Sequence, residues 1–149
     1  GVRLVGSEMC IRDRYKAVNE YRQKFPQKAV TFYAQNYPAM GWAVFMAGGS
    51  CPVIPCTDKA FLKDAAAMEV EETNTDEYKK MVKSDIGSII YSKSGTEIPV
   101  QLSSGKYVLK YIHPASGKIE TINKSLKING LYKLKVPDKK EGIYWFHKL

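Results

Sequence analysis

Two cysteines stand five residues apart, Cys51 and Cys56 in SCPVIPC. In an oxidising compartment that spacing allows a small disulfide loop. It lacks the partners and spacing of a zinc site, and two half-buried thiols fit it better. Acids are scarce over the same stretch. Between Tyr15 and Phe61 the only carboxylates are Glu20, in a helical pattern, and Asp58, a helix-cap candidate. No pair for general acid–base work is therefore present there. His113 and His147 are isolated in sequence and read as structural or exposed, not as ligands or bases. No metal site, cofactor or catalytic residue is expected. Trp42 and Phe45 have the chemistry to stack on sugar rings, but their segment is apolar on every side and points to core packing.

The formal net charge is +8. Outside residues 1–14 the single arginine is Arg22, and every other base is lysine. Nucleic-acid sites favour arginine for bidentate contacts. A lysine excess spread over strands reads as a solvated face, so no nucleic-acid partner is expected. No run of 18 apolar residues is present, so no membrane span is expected.

The elements fall into two halves. Val18, Tyr21 and Phe25 mark one helix face, which Pro26 ends. Lys28–Ala34, KAVTFYA, reads as a strand buried on both sides. Asn36 caps the helix Pro38–Ala47, and Gly48-Gly49 stops it. A short strand Ser50–Ile54 follows. Thr57 or Asp58 then caps a helix with Ala60, Phe61, Leu62, Ala65 and Met68 inside. This alternation is that of a parallel α/β unit, with too few strands to close a sheet. Glu69–Glu77 is polar and reads as a linker.

Beyond it the pattern is β. Turn signals at Ser94-Gly95, Ser104-Gly105, Pro114–Gly117, Asn129-Gly130 and Lys140–Gly142 recur about every ten residues, as in an antiparallel sandwich of seven or so strands. Asn129-Gly130 is the strongest hairpin signal. Tyr132, Leu134 and Val136 point one way, Lys133 and Lys135 the other. Ile90, Leu102, Leu109, Ile119, Leu134 and Trp145 are expected in the core, along with most of Tyr107 and Tyr111.

Leu4–Arg14, LVGSEMCIRDR, resembles a translated adapter from sequencing-library preparation. Residues 1–14 are therefore expected to be an artefactual leader, with the true start of the protein lost upstream. Residues 15–72 are the expected α/β half and 73–149 the expected sandwich.

KAVTFYAQNYPAMGWAVFMAGGS (28–50) and IGSIIYSKSGTEIPVQLSSGKYVLKYIHPASGKI (86–119) together resemble the end of the apiosidase-like glycoside hydrolases. That resemblance implies an α+β chain: the truncated end of a (β/α)8 barrel followed by a small antiparallel β-sandwich of the kind called a collagen-binding domain. It likens 28–34 and 50–54 to the seventh and eighth barrel strands. Sites of such barrels lie at the strands' C-terminal ends. The implied substrate-binding residues are Tyr33, Gln35, Asn36 and Ser50. Retaining glycosidases need two carboxylates, and YAQN supplies none. The catalytic acids would then lie upstream, and this piece alone would be inactive. The expected partner is a polysaccharide held through the missing barrel, and the expected location is secreted or periplasmic. The alternative is a non-catalytic carbohydrate-binding or adhesive module. An exposed aromatic row, or a basic groove holding Lys106, Lys110, Lys133 and Lys135, would favour it.

Overall fold

Helix α1 (Met9–Lys24) stops two residues before Pro26, where the ring removes a backbone donor and the helix cannot continue. The computed structural model describes residues 9–31 and 38–149. The chain divides into two compact units, Gly1–Pro55 and Cys56–Leu149. The α1 helix begins inside the segment expected to be a leader. Of its expected apolar face only Val18 is buried; Tyr21 and Phe25 stack on each other in the open, with centroids 6.3 Å apart.

In the first unit, α2 (Pro38–Met46) is the apolar run, and Trp42 to Ala47 are all buried. Its end is built as expected. Gly48 adopts φ 70°, Gly49 N–H donates to Val44 O, and Gly48 N–H donates to Phe45 O. That pair of bonds is the Schellman arrangement, which needs a left-handed residue at the first position past the helix. Arg22 Nη1 donates to Ala47 O at 3.0 Å, placing a cation at the helix's negative end. The expected strand Ser50–Ile54 does not form; the segment is irregular, with Cys51 at φ 53°. One backbone bond joins this segment to residues 28–31, Ser50 N–H to Val30 O at 2.7 Å. Residues 28–31 are likewise irregular, and the rest of the expected strand 28–34 lies outside the described residues.

The second unit holds α3 (Lys59–Ala67) and one six-stranded antiparallel sheet. The strands are β1 (Glu69–Glu71), β2 (Tyr78–Lys83), β3 (Gly87–Ser92), β4 (Glu97–Ile112), β5 (Ile119–Lys135) and β6 (Gly142–Lys148), in the order β1-β2-β3-β6-β4-β5. The chain is thus α+β, with one sheet where a two-sheet sandwich was expected. The supposed linker begins with strand β1, which pairs with β2. Helix α3, grouped by the sequence with residues 15–72, lies in the sheet's unit.

The single sheet does the work of two by folding on itself. Residues 97–102 of β4 pair with 130–135 of β5, and 105–112 pair with 119–128. Between them the register slips at Leu102/Gly105. Such a bulge bends a strand and shifts its alternation. Ile98, Val100 and Leu102 point inward before it, Tyr107, Leu109 and Tyr111 after it. They meet Ile90, Leu134, Val136, Tyr144 and Phe146 in one core. The folded arm is tied over β2 by Lys80 Nζ to Pro99 O at 3.3 Å, and at the bend by Ser103 N–H to Ser84 O at 2.8 Å. Ile119 is half-buried; the other expected core residues are buried. The opposite face of the central strands carries Ile89, Ile143 and Trp145, also buried. Burial on both faces explains the unbroken apolar runs in β3 and β6.

Candidate functional site

Helix α3 presents Phe61, Asp64, Ala65 and Met68 as its buried face, the i, i+3, i+4, i+7 stripe. Asp58 is its N-cap, accepting from Phe61 N–H at 2.8 Å. Ala60 and Leu62, expected inside, are exposed. Phe61 packs edge-on against Trp145, with ring centroids 5.4 Å apart. One turn further on, the stripe carries a carboxylate.

A buried carboxylate is tolerated when it is hydrogen-bonded. Asp64 Oδ2 accepts from Trp145 Nε1 at 2.9 Å and meets His147 Nδ1 at 2.7 Å. Both partners come from the same face of β6, two residues apart. The bond to a carboxylate places the imidazole proton on Nδ1 and leaves Nε2 as the ring's outer nitrogen. His147 is half-exposed, and Nε2 is the ring nitrogen that Asp64 does not engage. Lys110 Nζ, from the neighbouring strand β4, lies 4.1 Å from the Trp145 ring centre. A carboxylate-oriented imidazole can donate to or accept from a polar ligand, and Lys110 adds a cation over the neighbouring indole. No group of three metal-binding side chains exists among the described residues.

A second polar cluster closes the other end of these strands. His113 Nε2 meets Glu120 Oε1 at 2.8 Å, and Lys140 Nζ lies 3.7 Å from Glu120 Oε2. Tyr91 hydroxyl donates to the Glu141 carboxylate, Tyr111 hydroxyl to Glu141 O, and Tyr144 hydroxyl to Lys140 O. The His113 hydrogen bond holds the Glu120 carboxyl below its ordinary range. That is the reverse of what a general acid needs. Burial pushes the phenols of Tyr91 and Tyr111 up, and that of Tyr144 up to about 12. The cluster's members satisfy one another, which suits a clasp between strand ends.

Of the residues expected to bind substrate, Tyr33, Gln35 and Asn36 lie outside the described residues, and Ser50 is half-buried beside Val30. Trp42 and Phe45 are core, in edge contact at 5.5 Å. Cys51 and Cys56 are both free, the first exposed and the second buried. Burial raises the Cys56 thiol above its ordinary value. The four lysines of the supposed groove do not share one set of contacts. Lys133 and Lys135 flank Glu97, at 3.2 and 4.0 Å, while Lys110 sits on Trp145. The sequence treats both histidines as isolated, yet each has a carboxylate partner. Glu120 stands opposite Tyr111 in the β4–β5 register, diagonal to His113 on the same face, a signal readable once the Pro114–Gly117 hairpin is set in register. Asp64 is legible only as a charge on an otherwise apolar stripe.

A family described as "Domain of unknown function (DUF6298)" matches residues 3–68. No curated protein matches the chain. Among solved structures, one described as "Glycoside hydrolase" is similar at 16% identity with a TM-score of 0.40, over 53% of this chain and 19% of that one. The chain thus spans about a fifth of that protein. The capsular polysaccharide assembling protein CapF of Staphylococcus aureus is similar at 13% identity with a TM-score of 0.18, over 86% of this chain and 45% of that one. A complex of CapF with the inhibitor 3-isopropenyl-tropolone gives 12% identity and a TM-score of 0.18, over 93% and 43%. No helix among the described residues is long and apolar enough to cross a membrane.

Proposed function

We propose that the chain is the C-terminal part of a secreted bacterial glycoside hydrolase acting on a polysaccharide. In this reading residues 15–72 are the end of a (β/α)8 barrel, whose last stretch, α3 and β1, joins the sheet's unit, and 73–149 are the domain that buttresses it. The observation that carries it is the Ser50 N–H to Val30 O bond at 2.7 Å, with the stretch 41–47 of and after helix α2 buried. It joins one residue from each of the segments that resemble strands seven and eight, and helix α2 lies between them in sequence. A βαβ crossover has that form. Tyr33, Gln35, Asn36 and Ser50 would then face sugar hydroxyls at the barrel mouth, and the two carboxylates would come from upstream strands.

The test is to recover the coding sequence upstream of residue 15 and express the joined protein. Two carboxylates at strand ends are expected, with turnover of a polysaccharide or aryl glycoside that is lost when either is changed to its amide. The 149-residue chain alone is expected to give no turnover above a heat-killed control. An upstream region without barrel strands, or activity in the short chain, overturns the reading.

The alternative is a carbohydrate-binding module with no catalytic part. What favours it is that Lys106 and Lys110 alternate with buried Tyr107 and Leu109 on one strand, and so share one sheet face.

A further inference from the structure

We infer that the sheet face beside α3, formed by Lys106, Lys110, Lys127 and His147, binds a carboxylated polysaccharide. The inference rests on the carbohydrate reading above and adds to it a surface and a ligand charge.

Register places these groups together. On β4, residues 106, 108 and 110 alternate with buried Tyr107, Leu109 and Tyr111 and so point to the opposite face. Lys110 pairs with Trp145 of β6, and Val108 with His147. Lys106 pairs directly with Lys127 of β5. Lys106 and Lys127 are exposed, and Lys110 and His147 half-exposed.

Two lysines directly opposite each other on neighbouring strands repel, at Cβ separations of about 5 Å. Several lysines elsewhere on this sheet are matched: Lys80 with Glu71, Lys133 and Lys135 with Glu97, and Lys93, just past β3, with Glu77. Among the described residues Lys106, Lys110 and Lys127 have no carboxylate within ion-pair distance. The face's one acid, Asp64, is buried and already held by Trp145 and His147. The uncompensated cations extend from Lys106 to Lys110 of β4, four steps or roughly 13 Å at ~3.3 Å per residue. Such a row complements an extended chain with repeated negative charge. His147 Nε2 adds a hydrogen-bonding atom whose ring is oriented by Asp64.

The chemistry favours a uronate chain over a nucleic acid. The face has lysines and no arginine, so it offers point charges without the planar fork that grips phosphate and guanine. Its one large aromatic, Trp145, is fully buried and provides no platform for base stacking.

The test is affinity electrophoresis and calorimetry on the full chain with polygalacturonate, with dextran as neutral control and a DNA duplex of matched charge. Polygalacturonate is expected to bind, more weakly as salt rises, and dextran not. The Lys106→Gln/Lys127→Gln variant is expected to bind on the order of tenfold more weakly, since each exposed charge contributes only a few-fold. Lys93→Gln should bind as the parent does. Relief of the lysine pair should leave the double variant melting at or above the parent temperature, and polygalacturonate should raise the melting temperature of the parent alone. Lys110→Gln gives an independent loss if the double variant fails to fold. Undiminished binding by the variants, tighter binding of the duplex, or no binding of polygalacturonate overturns the inference. Binding of neutral polysaccharide without polygalacturonate overturns it while leaving the carbohydrate reading standing.

Discussion

Asp64 and His147 are 83 residues apart in sequence, and their side chains meet at 2.7 Å. The same carboxylate oxygen accepts from the fully buried Trp145 indole. Asp64 thereby pins α3 to β6. Changing Asp64 to Ala leaves a buried N–H without an acceptor, at a cost of about 1–3 kcal/mol. Asp64→Asn keeps an oxygen for Trp145 and should lose less. Chemical denaturation of both variants measures this. An Asp64→Ala protein as stable as the parent would show that the contact holds nothing in place.

The second histidine contact gives a pH prediction. His113 holds Glu120 below its ordinary value of 4.5. A carboxyl whose folded value is depressed contributes stability that is present above the ordinary value and lost as pH falls through the folded one. His113→Gln should move the Glu120 titration back up toward 4.5 and make stability less steep in acid over that window. Carbon-detected NMR titration of the side-chain carboxyl reads the shift directly. An unmoved midpoint would mean that Lys140 and Lys118 carry the effect.

Local signals were legible where local geometry decides the outcome. Gly48-Gly49, the Pro114–Gly117 turn, the Asp58 cap and the alternation in 132–136 all stand as read. Ser104-Gly105 and Asn129-Gly130 carry the signals of two separate turns but are two halves of one bend. Ser104 Oγ donates to Asn129 Oδ1 at 2.7 Å across the β4–β5 ladder, and Gly130, at φ 88°, stands opposite Leu102. A bulge and a hairpin use the same residues, and only the partner strand distinguishes them. Strand β1 was missed because its Glu-Val-Glu pattern is that of a short edge with no apolar period. Asp64 was missed because its partners lie on the last strand.

Glycine 41 tests the first unit. A Cβ built there would lie 1.8 Å from Val53 O, a backbone atom. On an open helix, Gly→Ala stabilises by roughly 1 kcal/mol. Here the sign should reverse, with a loss of about 1–3 kcal/mol as α2 is pushed off the 51–54 segment. Thermal melts of Gly41→Ala decide between the two signs. A higher melting temperature would mean that this segment yields freely.

The boundary between the units can be found by cutting. A break near Thr75 keeps strands β2 to β6 but removes α3 and β1. It uncovers Trp145 and deletes buried Phe61 and Met68, each worth about 1.5–3 kcal/mol of burial. It also strands the Trp145 indole N–H. Asp76–Leu149 should therefore expose apolar surface, bind a hydrophobic dye and melt without cooperativity. Cys56–Leu149 retains both covers of the central strands, the folded β4–β5 arm on one face and α3 on the other. That piece should be soluble and melt in a single transition. A cooperative Asp76–Leu149, equal in stability to the longer piece, would make α3 an appendage of the first unit and place the boundary near residue 72.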